Sequence, residues 1–102
     1  MTTTFDYNPQ ELEKAAFILK TIAHPTRLAI IDLLSKRGDQ TVSDICTQLD
    51  LEQSLASHHL SVMKMKGILS SERRGKKVIY SLKLTEVQQV MQCIEHCDLS
   101  RF

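Results

Sequence analysis

Negative charge is almost missing from one stretch of this chain. Between residues 53 and 83 Glu72 is the single acid, set against seven cations: Lys64, Lys66, Arg73, Arg74, Lys76, Lys77 and Lys83. That stretch carries +6, while the other 71 residues hold six cations and eleven acids and carry −5. The formal net charge of +1 conceals the division. A segment so depleted of carboxylates points to a face made for a polyanion, because neutralising phosphates supplies most of the sequence-independent affinity for nucleic acid.

Other absences narrow the class. No apolar run approaches the length needed to span a bilayer, and Met1 to Tyr7 has neither the basic flank nor the apolar core of a leader. A cytoplasmic protein with no membrane partner is expected. Three cysteines, an odd number without a repeating framework, do not suggest a secreted disulfide scaffold, and reduced thiols are expected. Internal repeats, low-complexity tracts and interdomain linkers are missing as well, so residues 1–102 read as a single domain. There is no glycine-rich phosphate loop, nucleophile elbow or paired metal-ligand motif. His58 and His59 are adjacent, about 100° apart around a helix, and cannot converge on one ion. An enzyme is not expected.

What is present reads mainly as helices. Asn8 is suited to cap, and Pro9 to begin, a first helix over about 9–23, with Leu12, Ala15, Ala16, Leu19, Ile22 and Ala23 on its inward stripe. Pro25 restarts the chain into a second helix, ended by Gly38 and Asp39, in which Leu28, Ile31 and Leu34 share a face broadened by Ile30 and Leu33. Thr41 caps a short third helix to Leu49, with Val42, Ile45 and Leu49 inward. A brief turn leads to a fourth helix over roughly 53–66, stopped by Gly67, with Ala56, Leu60 and Met63 as its buried stripe. Ile68-Leu69 and Val78 to Leu82 read as two strands around Arg74-Gly75-Lys76. A last helix runs from about Leu84 to Cys97, with Val87, Val90, Met91 and Ile94 as its apolar residues. The expected fold is mainly α with a small β-hairpin, in the order α1-α2-α3-α4-β-β-α5: a winged helix-turn-helix with additional terminal helices.

On the fourth helix Gln53, Ser54, Ser57, His58 and Ser61 lie away from the buried stripe. They are the candidates for reading base edges, Gln53 by two-point pairing with adenine, with Lys64 further along the helix as another DNA contact. Arg73, Arg74, Lys76 and Lys77 crowd the hairpin tip and are the candidates for a clamp on the phosphate backbone. A winged helix that docks protein instead of DNA is the competing class, but it would more often expose an apolar patch there than bare cations.

Three segments, His24-Pro25-Thr26-Arg27-Leu28, Gln53 to Leu60 and Arg73 to Leu82, resemble the ArsR/SmtB family of bacterial winged-helix repressors, and the similarity covers roughly residues 10–97. The resemblance implies a homodimer built from the first and last helices (about 9–23 and 84–97). It also implies a double-stranded DNA operator with two half-sites, and release when an inducer binds or oxidises the protein. It places Ser57 and His58 toward DNA and gives His59 a packing or hydrogen-bonding role. Phe17, Ile18, Met91 and Cys97 lie beyond the inward stripes and suit either a partner or the core.

Where many relatives of that kind hold metal at the third helix, this chain has Thr41-Val42-Ser43; for the second family site it has Leu84, Glu86, Cys97 and Ser100. Neither set retains a full complement of ligands. The remaining sensing candidates are Cys93, His96 and Cys97 on the last helix and Cys46 on the third. Cys93 and Cys97, at i and i+4, suit a soft metal ion or an oxidant, and the bland reading is that free cysteines pack as small hydrophobes. Whether any cofactor binds is left open by the sequence.

Overall fold

A computed structural model describes residues 8–102, so the first seven residues of the expected single domain lie outside the described residues. The element order is α1 (Pro9–Ile22), α2 (Pro25–Arg37), β1 (Gln40–Thr41), α3 (Val42–Leu49), α4 (Gln53–Met65), β2 (Leu69–Arg74), β3 (Lys77–Leu82) and α5 (Val87–Glu95), then a 3-10 turn (Leu99–Arg101). This is a winged helix-turn-helix. Among the described residues no helix is long and apolar enough to cross a membrane.

Local chemistry sets most helix starts. The Asn8 side chain accepts the Glu11 backbone N–H at 2.8 Å and donates back to the Glu11 carboxylate, relieving one of the unpaired N–H groups of the first turn. His24 Nδ1 accepts the Thr26 N–H at 3.2 Å before α2, and Thr41 Oγ1 accepts the Asp44 N–H at 3.0 Å before α3. Between α3 and α4 the chain reverses at Asp50, which adopts a left-handed φ of 53° while its N–H bonds the Cys46 carbonyl. Asp is among the few L-residues that take this conformation readily.

The core lies where α2, α3, α4 and the sheet meet. Ile30, Ile31, Ile45, Leu60, Met63 and Ile68 have no exposed surface, and Leu33, Leu34, Leu69, Tyr80, Val87 and Met91 complete the buried cluster together with Ile22. Lys36, near the end of α2, pairs with Asp32 at 3.3 Å and with Glu95 of α5 at 2.5 Å. The hydrogen bond that Lys36 donates to Glu95, then that to Asp32, raises the Lys36 pKa, and Lys36 in turn holds the Glu95 carboxyl below its ordinary range. These groups are exposed, so the pair orients α5 on α2 more than it stabilises the fold.

Four expectations need correction. The first strand does not end at Leu69 but continues through Ser70–Arg74, because each of its residues pairs with β3, from Leu69↔Leu82 to Arg74↔Lys77, and ladder bonds do not require apolar side chains. A third strand, β1, adds to the hairpin through Gln40↔Tyr80 and Thr41↔Ile79, giving the order β1-β3-β2. The last helix is shorter than 84–97: the N–H groups of Lys83 and Leu84 both bond the Ile68 carbonyl, which holds Leu84 at the sheet, and His96 and Cys97 leave the helix in a turn. Finally, Leu12, Ala15, Ala16, Leu19 and Ala23 are exposed instead of inward; Thr21 and Ile22 are buried and Ile18 packs part-buried beside them, because α1 meets the core only through its C-terminal part. Of the residues that suited either a partner or the core, Met91 is buried in the core.

Truncating a core residue should cost far more than truncating a surface one. Ile45→Ala is expected to lower the unfolding free energy by about 2–5 kcal/mol in urea titration, through lost transfer energy and a residual cavity. Met65→Ala, at a side chain 78% exposed, should change it by no more than about 0.5 kcal/mol. Equal losses at the two positions would mean that the core is not where the packing puts it.

Candidate nucleic-acid interface

Burial fixes which way α4 faces. Ala56, His59, Leu60 and Met63 are buried, so the opposite side of the same helix must present Gln53, Ser54, His58, Ser61 and Lys64, all exposed, with Ser57 half-buried. Gln53, Ser57 and Ser61 follow one another at intervals of four and form a polar stripe on a single side.

The wing stands beside this stripe. A two-residue connection, Gly75-Lys76, closes the hairpin, with Gly75 at φ 63° in the left-handed region where glycine meets no Cβ penalty. Between helix and wing runs an open groove of about 340 Å³ lined by Gln53, Ser57 and Ser61 from α4 and by Lys76, Lys77, Val78 and Tyr80 from the wing. Thr41, Val42 and Ser43, at the start of α3, complete its wall. Tertiary folding thus places hydrogen-bonding side chains of α4 and two wing ammonium groups around the same space. Among the described residues neither Lys76 nor Lys77 has an ion-pair partner.

The remaining candidates fall elsewhere. Arg73 and Arg74 are successive strand residues, so they leave opposite faces of the hairpin, and neither lines the groove. Arg74 pairs with Glu72 at 3.2 Å, and Arg73 Nε donates to the Gly75 carbonyl at 3.3 Å. Ser54 donates to the Glu52 carboxylate at 2.6 Å, at the very start of α4. His58 and Lys64 are exposed outside the groove. Thr41, Ser43 and Tyr80 were not anticipated as groove residues. Thr41 had signalled only a helix cap, and nothing in the local pattern announced that β1 would bring it against β3.

His59 has the internal role expected of it. It is 4% exposed, and its Nδ1 accepts the Arg27 Nε–H at 3.1 Å. Burial, then the positive charges of His24, Arg27 and His58, push its pKa below the ordinary histidine value.

The cysteines do not assemble with other ligands. Cys93 and Cys97 are exposed free thiols and Cys46 is a half-buried one. Among the described residues no three of His, Cys, Asp and Glu are grouped as metal ligands would be, so Cys93 and Cys97 offer at most a pair of thiols within one chain.

Residues 24–71, which hold α2, the helix-turn-helix and the start of the wing, match the family described as bacterial regulatory protein, arsR family. The transcriptional repressor SdpR of Bacillus subtilis is 39% identical over 71 residues, covering 70% of this chain and 78% of SdpR. The chain belongs to the ArsR family. Among solved structures, the transcriptional repressor PagR of Bacillus anthracis superimposes with a TM-score of 0.77 at 36% identity, covering 85% of this chain and 99% of PagR. A homodimeric winged helix-turn-helix DNA-binding domain from Mycobacterium bovis, described as a possible ArsR-family regulator, gives 0.72 at 26% identity, covering 93% of this chain and 87% of that one. Like other ArsR-family proteins, the chain is a DNA-binding transcriptional regulator and not an enzyme.

The groove separates the wing cations by their surroundings. Lys76→Ala is expected to weaken binding to all duplex sequences alike and to reduce the slope of log affinity against log salt by about 0.9, the contribution of one phosphate contact. Arg74→Ala should have a smaller effect, since Glu72 already sits beside its charge. Anisotropy titrations across a salt series check this, and a larger loss at Arg74 than at Lys76 would contradict it.

Proposed function

We propose that two copies of this chain bind an operator with two related half-sites, each inserting α4 into the major groove while the wing follows the phosphate backbone, and that binding represses transcription. The observation that carries this reading is the groove in which Gln53, Ser57 and Ser61 face Lys76 and Lys77. Side chains able to read base edges stand a short reach from cations able to grip phosphate, and the two tasks need that proximity. Ser54, His58, Lys64, Arg73 and Arg74 extend the same surface as outer contacts. Repression is the activity named for both SdpR and PagR. A cytoplasmic location fits a protein that works on DNA.

Pairing through the terminal helices is supported by what α1 leaves uncovered. Leu12, Phe17 and Leu19 are each about half exposed along a helix that meets its own core only at its end. Leu12 and Leu19, at i and i+7, share one face and Phe17 lies on another flank; large apolar side chains left open on a 102-residue protein favour a second copy, whose contact removes them from water. One module reads few base pairs, so two recognition helices about one duplex turn apart supply the discrimination that a genome demands.

Footprinting on sequences selected from a random pool tests the reading. Two protected half-sites about 34 Å apart, related by a two-fold axis, are expected. Absence of binding to any duplex in dilute buffer would instead favour a protein-docking winged helix. A reporter that rises when the protein is removed supports repression, and one that falls contradicts it.

Cys93 in the last turn of α5 and Cys97 in the turn that follows it are the inducer site that their exposure supports, with His96 between them in the chain; half-buried Cys46 fits packing better. Cys93→Ser with Cys97→Ser is expected to bind DNA as wild type does but to stay bound on addition of soft metal ions or peroxide. Dissociation of the double variant at wild-type doses would remove this role.

A further inference from the structure

The segment His24-Pro25-Thr26-Arg27-Leu28 takes no part in the groove, yet one of its side chains joins three helices. Arg27, in the first turn of α2, donates through Nη1 to the Thr21 carbonyl at 2.9 Å and through Nε to His59 Nδ1 at 3.1 Å. Thr21 lies in the last turn of α1, whose carbonyls have no partner within the helix, and its hydroxyl donates to the Phe17 carbonyl one turn earlier. His59 lies in the middle of α4, next to His58 and two residues from Ser57. The His24 ring packs against the His59 ring, with the centroids 4.5 Å apart.

We propose that Arg27 is a positioning residue for DNA reading: its guanidinium, forked between the end of α1 and the His59 imidazole, sets the orientation of the recognition helix relative to the helix that pairs the two copies. This rests on the DNA-binding function proposed above. α4 is rigid, so a tilt or rotation at His59 moves Ser57, His58 and Ser61 together, and moves them relative to their counterparts in the second copy. The planar fork of Arg holds two acceptors in fixed directions, which a single ammonium cannot reproduce.

The link also has a definite protonation state. Because Nδ1 accepts the Arg27 N–H, neutral His59 must carry its proton on Nε2. A second proton would set N–H against N–H and break the fork. The groups facing His59 are His24 and Arg27 from α2 and His58 from α4, while α1 contributes the uncharged Thr21 carbonyl through Arg27. Burial, followed by those positive neighbours, holds the His59 pKa low in the folded protein, whereas in the unfolded chain it titrates near about 6.5. The folded state therefore binds fewer protons in the window between the two values. The stabilising contribution is complete above about 6.5 and is lost as pH falls through the lowered value.

The test compares affinity for a duplex selected by the wild type from a random pool with affinity for a random duplex. Arg27→Gln is expected to form a folded dimer whose ratio of selected to random affinity falls roughly tenfold or more, while binding to random duplex, which depends on the wing, is retained. Arg27→Lys should recover only part of the ratio. In a pH series taken down from 7.5 to the lowest pH at which the dimer stays folded, the wild-type ratio should fall, and His59→Gln, which keeps an acceptor but cannot titrate, should show a flatter profile. Both proteins retain His24 and His58, so the comparison isolates His59.

An unchanged ratio in a folded Arg27→Gln dimer overturns the proposal, as does a parallel loss for both duplexes or full recovery by Lys. Should Arg27→Gln fail to fold, the pH series decides, and identical profiles for wild type and His59→Gln overturn it. A wild type that binds neither duplex removes the DNA-reading function itself, and a wild type that binds both while the variants match it removes only the role of Arg27.

Discussion

The burial of one side of α4 is the constraint from which the rest of the molecule follows. Ala56, Leu60 and Met63 reach zero exposure against α2, α3 and the start of β2, and such close packing allows one rotation of the helix about its axis. A turn of 100° in one direction would drive Ser57 into the core with its hydroxyl unpaired and push Met63 into water. What the exposed side can touch therefore depends on this apolar stripe. His59 is the polar residue on the buried side, and it is admitted because Arg27 satisfies its acceptor.

The wing is positioned by backbone and not by side-chain packing alone. Ile68 is fully buried, and its carbonyl receives two N–H groups from the far end of the hairpin, so the base of the wing is fixed at the end of α4. Pairing then carries the two strands outward past the last apolar residue to a tip that no core contact supports. At that distance the cations avoid the desolvation that burial would impose, and their mutual repulsion is relieved when phosphate comes near. The short β1 ties the third edge of this sheet to the start of α3, which explains why Thr41 and Ser43 share a groove with Lys76 and Lys77.

Electrostatics and apolar exposure divide the molecule between two partners. The basic segment coincides with α4 and the wing, and every acid but Glu72 lies in the remainder, where Asp32 and Glu95 hold Lys36 and so orient α5. α1 points its large apolar residues away from its own core, and the principal extents of 60 × 33 × 21 Å describe a body too elongated to cover them. A polyanion on one face and a second copy on another are the complements that these two surfaces favour. Arg27 lies between them, bonded to the last turn of one terminal helix and to the middle of the reading helix.

Much of this was legible from neighbouring residues. The Asn8 and Thr41 caps, the Gly75 reversal, the stripe on α4 and the concentration of charge from 53 to 83 are short-range patterns, and short-range sterics and hydrogen bonding decide them. The contacts that corrected the sequence reading are long-range. Ser70–Arg74 looked like loop because it lacks apolar residues, yet β3 pairs with all of it; Leu12 and Leu19 had the spacing of a core stripe, yet no element arrives to cover them. Arg27 and His59 are 32 positions apart, and no periodicity connects them. The sequence by itself determined which segments coil, where most of the helices are capped and which segments carry positive charge, since those depend on backbone propensities and on composition. Tertiary structure alone decided which lysines join the reading stripe, which apolar faces stay open and which buried imidazole meets which guanidinium, because each of these is a matter of distance between groups far apart along the chain.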